Sequence, residues 1–261
     1  MSFGKALYGL KQAPRAWYLE LKTFVCSLGF LNSVADMSVF VYINGAQIVY
    51  CLVYVDDIIV TGSSQTLVMA FINALSQRFS LKDPTDLVYF LGIEATRTSQ
   101  GLRLMQHKYI YDLLCKMQML DAKPVSTPMA THLKLSLNSG TALDEPADYR
   151  RVIGSLQYLA FTRPDIAYAV NRLSQFIHRP TDIHWQAAKR ILRYLAGTAS
   201  HGILLRPNSP LSLHAFSDAD WAGDSDDYVS TNAFILYLGT SLIAWSSKKQ
   251  KGVARSSTEA E

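Results

Sequence analysis

Two adjacent carboxylates, Asp56 and Asp57, end the run 54–57 (YVDD), which lies between the apolar segments 48–53 and 58–60. Upstream, Asn44-Gly45 joins another apolar run to the first segment, and this dipeptide strongly predicts a two-residue hairpin. The pattern predicts a β-meander with both aspartates in a tight turn. Paired acids at such a turn can bind divalent cations for phosphoryl transfer. Aspartate is also a common turn former, so a structural role stays open here.

The composition is that of a globular chain with a substantial core. It has 261 residues, 49% of them hydrophobic. No run approaches the roughly 20 apolar residues of a membrane-spanning helix, and the first residues lack the apolar segment of a secretory signal. We therefore expect an intracellular protein without a membrane anchor. The cysteines Cys26, Cys51 and Cys115 are expected to be reduced thiols in the core.

Basic residues concentrate in the middle of the chain. Residues 1–105 carry 8 Lys and Arg against 7 Asp and Glu, residues 106–210 carry 13 against 7, and residues 211–261 carry 4 against 7. A basic middle could hold a polyanion, although solvated helices are often basic too. The first interpretation predicts that the phosphates of a nucleic acid contact a basic face that includes Arg172, Lys189, Arg190 and Arg193.

Apolar spacing predicts blocks of helices and strands. The helices are predicted at 14–28, around 67–79, around 109–117, and at 148–161, 164–178 and 182–196. Beyond the meander, strands are predicted at 87–94, 102–105, 211–216, 229–239 and 241–246. The polar, proline-containing stretch 121–147 is predicted to be an extended connection over a surface.

Four residues outside the meander have types suited to phosphate or metal binding. Gln12 and Arg15 lie at the start of a predicted helix, where backbone amides and a cation favour phosphate, although an ordinary solvated helix start fits as well. Asp218 follows a predicted strand, and Glu259 closes 256–259 (SSTE), which is typical of a capping box. The functional alternative pairs Asp218 with Glu259 as metal ligands.

Seven motifs follow one another along the chain. They are 7–17 (LYGLKQAPRAW), 54–57 (YVDD), 90–94 (FLGIE), 154–159 (GSLQYL), 163–166 (RPDI), 217–223 (SDADWAG) and 245–250 (WSSKKQ). In this order they resemble the Pol polyprotein of copia-type retrotransposons, and the resemblance covers almost the whole chain. It implies an α+β fold: a partial reverse transcriptase palm in 1–105, a mainly helical thumb and connection in 106–210, and the N-terminal part of a ribonuclease H domain in 211–261.

The resemblance implies a polymerase role for four residues. Asp56 and Asp57 match the catalytic pair of the polymerase, which binds Mg²⁺ in a two-ion site. Gln12 matches the motif on the incoming-nucleotide side, which positions the dNTP and the template base, and Arg15 lies in the same motif. The implied partners are an RNA template, a DNA primer, the RNA–DNA hybrid and dNTPs, and the resemblance leaves the oligomeric state open.

The same resemblance assigns roles to five further residues. Phe90, Leu91 and Gly92 match the hairpin that holds the primer end. Asp218 and Glu259 match the first two catalytic, metal-binding carboxylates of the ribonuclease H site. By family, the protein would work in the cytoplasm, inside virus-like particles, or in the nucleus.

Departures from the family pattern carry expectations of their own. The family's polymerase has a third aspartate on an upstream strand, and its ribonuclease H has later aspartates, so both sites are expected to be truncated and the chain inactive alone. Residues 226–232 replace the basic residue and glycine usual there, which predicts a diverged copy. The alternative function is a nonenzymatic nucleic-acid-binding or scaffold protein derived from the element.

Overall fold

The chain forms two compact units, Met1–Leu87 and Val88–Glu261, in a computed structural model that describes residues 11–55 and 57–261. The first unit contains a four-stranded antiparallel sheet in the order β1-β2-β3-β4. Its elements are α1 (Ala13–Ser27), β1 (Leu31–Asn32), β2 (Val39–Asn44), β3 (Gln47–Tyr54), β4 (Asp57–Gly62) and α2 (Gln65–Arg78). The predicted meander and both predicted helices are confirmed.

Both helices of the first unit cover the same face of its sheet. Along β3, Val49, Cys51 and Val53 are buried on one face because successive strand residues point to opposite faces. They share a core with residues of α1, among them Leu21, and of α2, among them Phe71. The opposite face, which carries the intervening residues of β3, is left outside this core.

Local sequence signals account for the turns and ends in this unit. The Asn44–Gln47 pair closes the hairpin between β2 and β3, and Gly45 has a φ of +60°, which suits glycine. The Ser64 hydroxyl accepts a hydrogen bond from the backbone N–H of Leu67 and so caps α2.

The second unit holds four longer helices and two sheets. The sheets have the orders β5-β6-β7-β8 and β11-β10-β9. Its strands are β5 (Tyr89–Phe90), β6 (Ile93–Thr98), β7 (Gly101–Met105), β8 (Gly202–Leu205), β9 (Leu213–Ala219), β10 (Thr231–Leu238) and β11 (Ser241–Lys249). Its helices are α3 (His107–Lys116), α4 (Ala147–Leu159), α5 (Ala167–Ser174), α6 (Asp182–Gly197) and the short α7 (Ser257–Ala260). This mixture of helices and antiparallel sheets confirms the α+β class.

Two predictions of regular structure were wrong. The expected strand 87–94 is broken by a turn at 91–92, so β5 and β6 are separate strands of a tight hairpin. The expected helix 164–178 is a 3₁₀ turn, Pro164–Ile166, followed by the shorter α5. The strand β8 was not predicted, because its four residues find their partner, β7, about a hundred positions earlier in the chain.

The connection 121–147 runs as an extended segment over α6 and the turn before it. Arg193 Nε donates to the carbonyl of Lys123 at 2.7 Å, and Arg190 donates to the Thr127 hydroxyl at 2.8 Å. Farther on, Leu143 N–H donates to the carbonyl of Pro180 at 2.9 Å. The predicted extended connection over a surface is confirmed, and it is fixed at several points to other elements of the second unit.

The three cysteines differ in their surroundings. Cys51 is buried in the first core, and burial raises the pKa of its thiol to about 12. Cys26 and Cys115 are reduced but exposed, so their expected place in the core was wrong. Within the described ranges, the helices are too short or too polar to cross a membrane.

Candidate active site

The first candidate site is the turn 54–57 between β3 and β4. Tyr54 pairs with Asp57, which leaves a two-residue loop, and Val55 has a φ of 51°. A β-branched residue with positive φ is a conformational outlier that costs on the order of 1–2 kcal/mol. Asp56 lies outside the described residues. Strain of this kind is common where a turn must present a functional group.

Asp57 belongs to the face of the sheet that the helices leave uncovered. Directly paired residues of an antiparallel sheet point to the same face, so Asp57 shares the face of Tyr54 and not that of the buried Val53. Its carboxylate is exposed, and no described residue forms an ion pair with it. The fold therefore presents this acid to solvent.

The chemistry of this turn suits magnesium. Mg²⁺ prefers oxygen ligands, and it is usually held by one or two carboxylates together with waters and substrate phosphates. Asp57 offers such a carboxylate. Over residues 11–55 and 57–261, no three His, Cys, Asp or Glu side chains are grouped closely enough to hold a metal ion on their own. The carboxylate of Asp57 therefore fits a magnesium site in which substrate phosphates supply further oxygen ligands.

Gln12 and Arg15 lie where the sequence placed them, at the start of α1. Gln12 is the N-cap residue, and its carbonyl accepts the Ala16 N–H at 3.0 Å. The side chain of Gln12 makes no capping hydrogen bond, and both Gln12 and Arg15 are exposed. This helix start therefore offers an exposed amide and an exposed cation.

Phe90, Leu91 and Gly92 form the second candidate site, at the tip of the β5–β6 hairpin. Phe90 pairs with Ile93, and the loop residues Leu91 and Gly92 have φ values of 49° and 77°. Positive φ at both loop positions is the pattern of a type I′ turn. The Tyr158 hydroxyl of α4 donates a hydrogen bond to the carbonyl of Leu91. The hairpin is therefore attached to a helix.

Tyr158 was not singled out from the sequence, where it is one residue of the motif 154–159. Its ring packs edge-to-face on Tyr109, with centroids 4.9 Å apart. Burial raises the pKa of Tyr158, and the charges of Tyr89 and Tyr109 raise it further, whereas a hydrogen bond with Gln106 lowers it. The hydroxyl is thus kept protonated, as a donor to a carbonyl must be.

The third candidate site contains Asp218 and Glu259. Asp218 lies on β9 opposite Ala233, and its side chain is exposed. Glu259 Oε2 accepts the backbone N–H of Arg255 at 2.7 Å, and the Ser256 hydroxyl accepts the N–H of Glu259 at 3.2 Å. These bonds agree with the predicted capping at the start of α7, with the carboxylate bonding one residue earlier than in a capping box.

The neighbouring aspartates Asp220 and Asp224 differ from Asp218, because their carboxylates have structural partners. Asp220 accepts the N–H of Thr231 at 2.7 Å. Asp224 is buried, and its Oδ2 is 2.9 Å from Arg172 and 2.7 Å from Lys249. Burial would raise the pKa of Asp224, but hydrogen bonds from Lys249 and Arg172 hold it below its ordinary value.

The acidic run that begins at Asp226 also has defined contacts. Asp226 accepts the N–H of Leu137 at 2.7 Å, and Asp227 forms an ion pair with Lys249 at 2.7 Å. These aspartates therefore hold the connection 121–147 and the end of β11. These contacts give the two aspartates a structural role, and the divergence predicted from the sequence stays a prediction.

The expected phosphate-binding face of the helices was wrong in part. Arg172 is 8% exposed and is paired with Asp224, so it is not available to a nucleic acid. The side chains of Arg190 and Arg193 bond to the connection 121–147, and the Lys189 ammonium lies 5.2 Å from the centre of the Trp185 ring. Arg172, Arg190 and Arg193 therefore bind other parts of the fold. The sequence could not show this, because a count of charges carries no information about contacts or burial.

The motif 163–166 also contains a buried arginine that is paired with an aspartate. Arg163 is 1% exposed, and its guanidinium binds Asp165 at 2.6 Å and the carbonyl and hydroxyl of Thr198. The Tyr194 hydroxyl donates to Asp165 at 2.8 Å. Burial would raise the pKa of Asp165, but Arg163 and Tyr194 hold it below its ordinary value.

His184 is buried at the start of α6, as a packing residue. Its Nδ1 accepts the N–H of Thr181, so Nε2 carries the proton and donates to the carbonyl of Ser136 at 3.1 Å. The ring is stacked on Phe176 with centroids 3.9 Å apart. Both ring nitrogens are satisfied in the neutral form.

Known proteins resemble this chain in sequence. A model of the reverse transcriptase (RNA-dependent DNA polymerase) family matches residues 1–131. The retrovirus-related Pol polyprotein from transposon RE2 of Arabidopsis thaliana is 65% identical over 257 residues, which are 98% of this chain and 18% of that polyprotein. The chain thus spans about a fifth of the length of that relative.

Two shorter relatives match over most of their own length. An uncharacterized mitochondrial protein of Arabidopsis thaliana is 47% identical over 212 residues, which are 81% of this chain and 88% of that protein. A putative transposon Ty5-1 protein of Saccharomyces cerevisiae is 32% identical over 258 residues, which are 98% of this chain and 84% of that protein. No solved structure was found to match the chain.

Proposed function

Since the chain belongs to the reverse transcriptase family of copia-type Pol polyproteins, we propose that it supplies catalytic parts of an RNA-directed DNA polymerase with ribonuclease H. The observation that carries this proposal is the turn between β3 and β4, where Val55 has positive φ and Asp57 is exposed on the open face of the sheet. The whole activity belongs to the longer polyprotein, of which this chain spans about a fifth.

In this proposal the chain has three functional parts. Residues 1–105 are part of the polymerase palm, residues 106–210 are the thumb and connection, and residues 211–261 are the N-terminal part of the ribonuclease H domain. The β5–β6 hairpin belongs to the palm in function, although it lies in the second compact unit. The partners are an RNA template, a DNA primer, their hybrid and dNTPs, inside the cell.

Asp56 and Asp57 would hold Mg²⁺ at the polymerase site. When bound, Mg²⁺ would neutralise phosphate charge and favour deprotonation of the primer 3′-hydroxyl. The chain's own task is to aim the two carboxylates, and the tight turn with Val55 at positive φ does this for Asp57. Gln12 and Arg15 would contact the incoming dNTP, since a helix start and a cation both attract phosphate.

Phe90, Leu91 and Gly92 would contact the primer end, and Asp218 and Glu259 would hold Mg²⁺ for cleavage of the RNA strand. Support for Asp218 comes from its exposure beside two aspartates with structural partners, Asp220 and Asp224. For Glu259 to bind a metal ion, its carboxylate would use the oxygen that does not accept the Arg255 N–H.

The experiment is primer extension by a Pol polyprotein of the RE2 type in which these 261 residues replace the matching segment. Asp57→Asn should lower dNTP incorporation at least about 100-fold, because a mispositioned metal ion costs about that much. Cleavage of the RNA strand should persist in this variant.

Asp218→Asn is the matched control, since it makes the same change to another exposed aspartate. It should lower cleavage of the RNA strand and leave dNTP incorporation intact. Normal incorporation by Asp57→Asn would contradict the polymerase assignment. Salt-dependent binding of primer–template with no incorporation by the unmutated chimera would favour a nonenzymatic binding protein.

A further inference from the structure

The β5–β6 hairpin has a loop conformation that few residues adopt without support. Leu91 and Gly92 both have positive φ, and leucine is an unusual residue at such a position. Two strand residues on one side, Tyr89–Phe90, give the hairpin little backbone pairing of its own. Isolated hairpins of this size are marginally stable in water, so contacts from elsewhere must fix its shape.

Tyr158 provides such a contact from behind the turn. Its hydroxyl donates to the Leu91 carbonyl, and a Cβ placed on Gly92 would lie 1.9 Å from the same hydroxyl oxygen. The Tyr158 hydroxyl therefore occupies space that is free only because residue 92 is glycine. It contacts the turn at two adjacent residues, the Leu91 carbonyl and Gly92.

The helical side of this contact is itself well supported. The Tyr158 ring packs edge-to-face on Tyr109 of α3 and on Phe161 just beyond α4. A second attachment joins the same hairpin to α3, because Glu94 Oε1 accepts the N–H of Lys108 at 2.7 Å. The hairpin is thus held at its tip by α4 and at its base by α3.

The hairpin and the residue before it carry exposed apolar side chains. Val88, Tyr89 and Leu91 are 66%, 55% and 41% exposed. An ordered, exposed apolar tip suits contact with the sugar and base of a nucleotide, because such contacts need shape more than charge. The order of the tip comes from the hydrogen bond between the Tyr158 hydroxyl and the Leu91 carbonyl.

We propose that Tyr158 is a positioning residue, which holds the Leu91–Gly92 turn on α4 so that the tip of the hairpin meets the 3′ end of the primer. The primer as ligand rests on the proposed function, whereas the attachment of the turn does not. Tyr158 acts through the backbone of Leu91 and need not touch the nucleic acid. Loss of its hydroxyl should loosen the turn without removing the ring that packs on Tyr109.

The test is hydrogen exchange of the 261-residue chain, measured by mass spectrometry on peptides that cover 86–98. Tyr158→Phe should speed exchange in the hairpin about fivefold, the effect of losing one hydrogen bond of ordinary strength. Tyr149→Phe is the matched control on the same helix, because it removes a hydroxyl that donates to the Leu173 carbonyl at 2.6 Å in the helical core. It should leave exchange in 86–98 unchanged.

A second measurement uses the RE2-type polyprotein that carries these 261 residues, bound to a recessed primer–template whose primer ends in a photoreactive nucleotide. In the unmutated chimera, crosslinks should map to 88–92. Tyr158→Phe should reduce them at least about threefold while the Kd for the duplex stays within about twofold. Crosslinks that are unchanged in Tyr158→Phe would overturn the role at the primer end.

Unchanged hydrogen exchange in Tyr158→Phe would overturn the attachment itself. If the unmutated chimera fails to bind primer–template at all, the proposed function fails at that point. The exchange experiment would then still decide whether Tyr158 fixes the turn, so the two failures are distinguishable.

Discussion

Charged side chains are used differently in the two compact units. In the first unit Arg15 and Asp57 are exposed, and the ion pair between Arg78 and Glu20 is exposed as well. In the second unit Arg163 and Arg172 are buried and bound to aspartates. The charged side chains of the first unit, which has fewer basic residues, are therefore accessible to ligands. In the more basic second unit, many charged side chains form contacts within the fold.

This difference shows that the position of a charge matters more than the number of charges. A buried charge must be paired, because an unpaired one costs several kcal/mol, and its partner then fixes elements of the fold. An exposed carboxylate costs little and stays available to a metal ion. Substitution of a buried, paired charge in the second unit should therefore affect stability, and substitution of the exposed Asp57 in the first unit should affect chemistry.

The largest effect on stability is expected from Asp224→Asn. It leaves Arg172 buried without its anionic partner, so the free energy of unfolding should fall by about 3–5 kcal/mol. Denaturant unfolding would measure this loss. Asp148→Asn is the control, since the Arg151–Asp148 pair is more than half exposed and should contribute at most about 1 kcal/mol. Equal losses in the two variants would break the distinction between buried and exposed charge.

Next in size is Gly92→Ala, which tests the tight fit behind the hairpin. The strained φ should cost about 1 kcal/mol, and displacement of the Tyr158 hydroxyl should cost about 1 kcal/mol more. Gly45→Ala has a positive φ too, but its Cβ would meet no atom within 4 Å. Gly45→Ala should therefore lower the free energy of unfolding by only about 1 kcal/mol. Equal unfolding free energies for the two variants would contradict the fit between Gly92 and Tyr158.

A smaller, pH-dependent effect is expected from His184. Burial lowers its pKa below the ordinary value, although the Ser136 carbonyl and the charges of Asp226 and Asp182 oppose this. The unfolded chain therefore binds more protons at this histidine than the folded chain does. The contribution of neutral His184 to the free energy of unfolding is fully present above about pH 6.5. It is lost as the pH falls, by at most about 1.4 kcal/mol per pH unit. Unfolding curves between pH 7.5 and 5 would measure this slope.

Two variants assign that slope to its residue. His184→Gln should flatten the dependence between pH 7.5 and 5, and His178→Gln, which changes an exposed histidine, should not. A slope that survives in His184→Gln would place the titrating group elsewhere.

The smallest effect on stability is expected from Asp57→Asn. The exposed carboxylate has no ion-pair partner among the described residues, so the unfolding free energy should change by less than about 0.5 kcal/mol. Calorimetry of the 261-residue chain would check this. A loss of 2 kcal/mol or more would mean that Asp57 holds the turn together, and the contrast with Asp224 would disappear.

Local patterns explain what the sequence could predict. The Asn44-Gly45 hairpin and the helices α1 and α2 depend on neighbours in sequence, so spacing and residue type were sufficient to predict them. The strand β8 depends on β7, and the burial of Arg172 depends on Asp224, 52 residues away. Such distant contacts leave no periodic signal.

The candidate sites divide in the same way. The turn at Asp57 and the helix start at Gln12 follow from local signals. Residue type suggested a divalent cation at the turn and phosphate at the helix start, and the family resemblance specified Mg²⁺ and a dNTP. The residue pattern alone missed the turn at 91–92, because Leu91 is not a residue that usually signals positive φ, whereas the family resemblance implied a hairpin there. Its partner Tyr158 lies 67 residues away, so its role needed the structure.

The central claim, that the turn 54–57 holds the metal ion of the polymerase, can be tested by locating the ion. The RE2-type polyprotein that carries these 261 residues would be bound to primer–template and a nonhydrolysable dNTP analogue, with Fe²⁺ in place of Mg²⁺. Ascorbate and peroxide then generate hydroxyl radicals at the ion, and the sites of backbone cleavage are mapped. The account predicts cuts at or beside residues 54–57 that disappear in Asp57→Asn, whereas the same cuts in Asp57→Asn, or cuts confined to other segments, would contradict it.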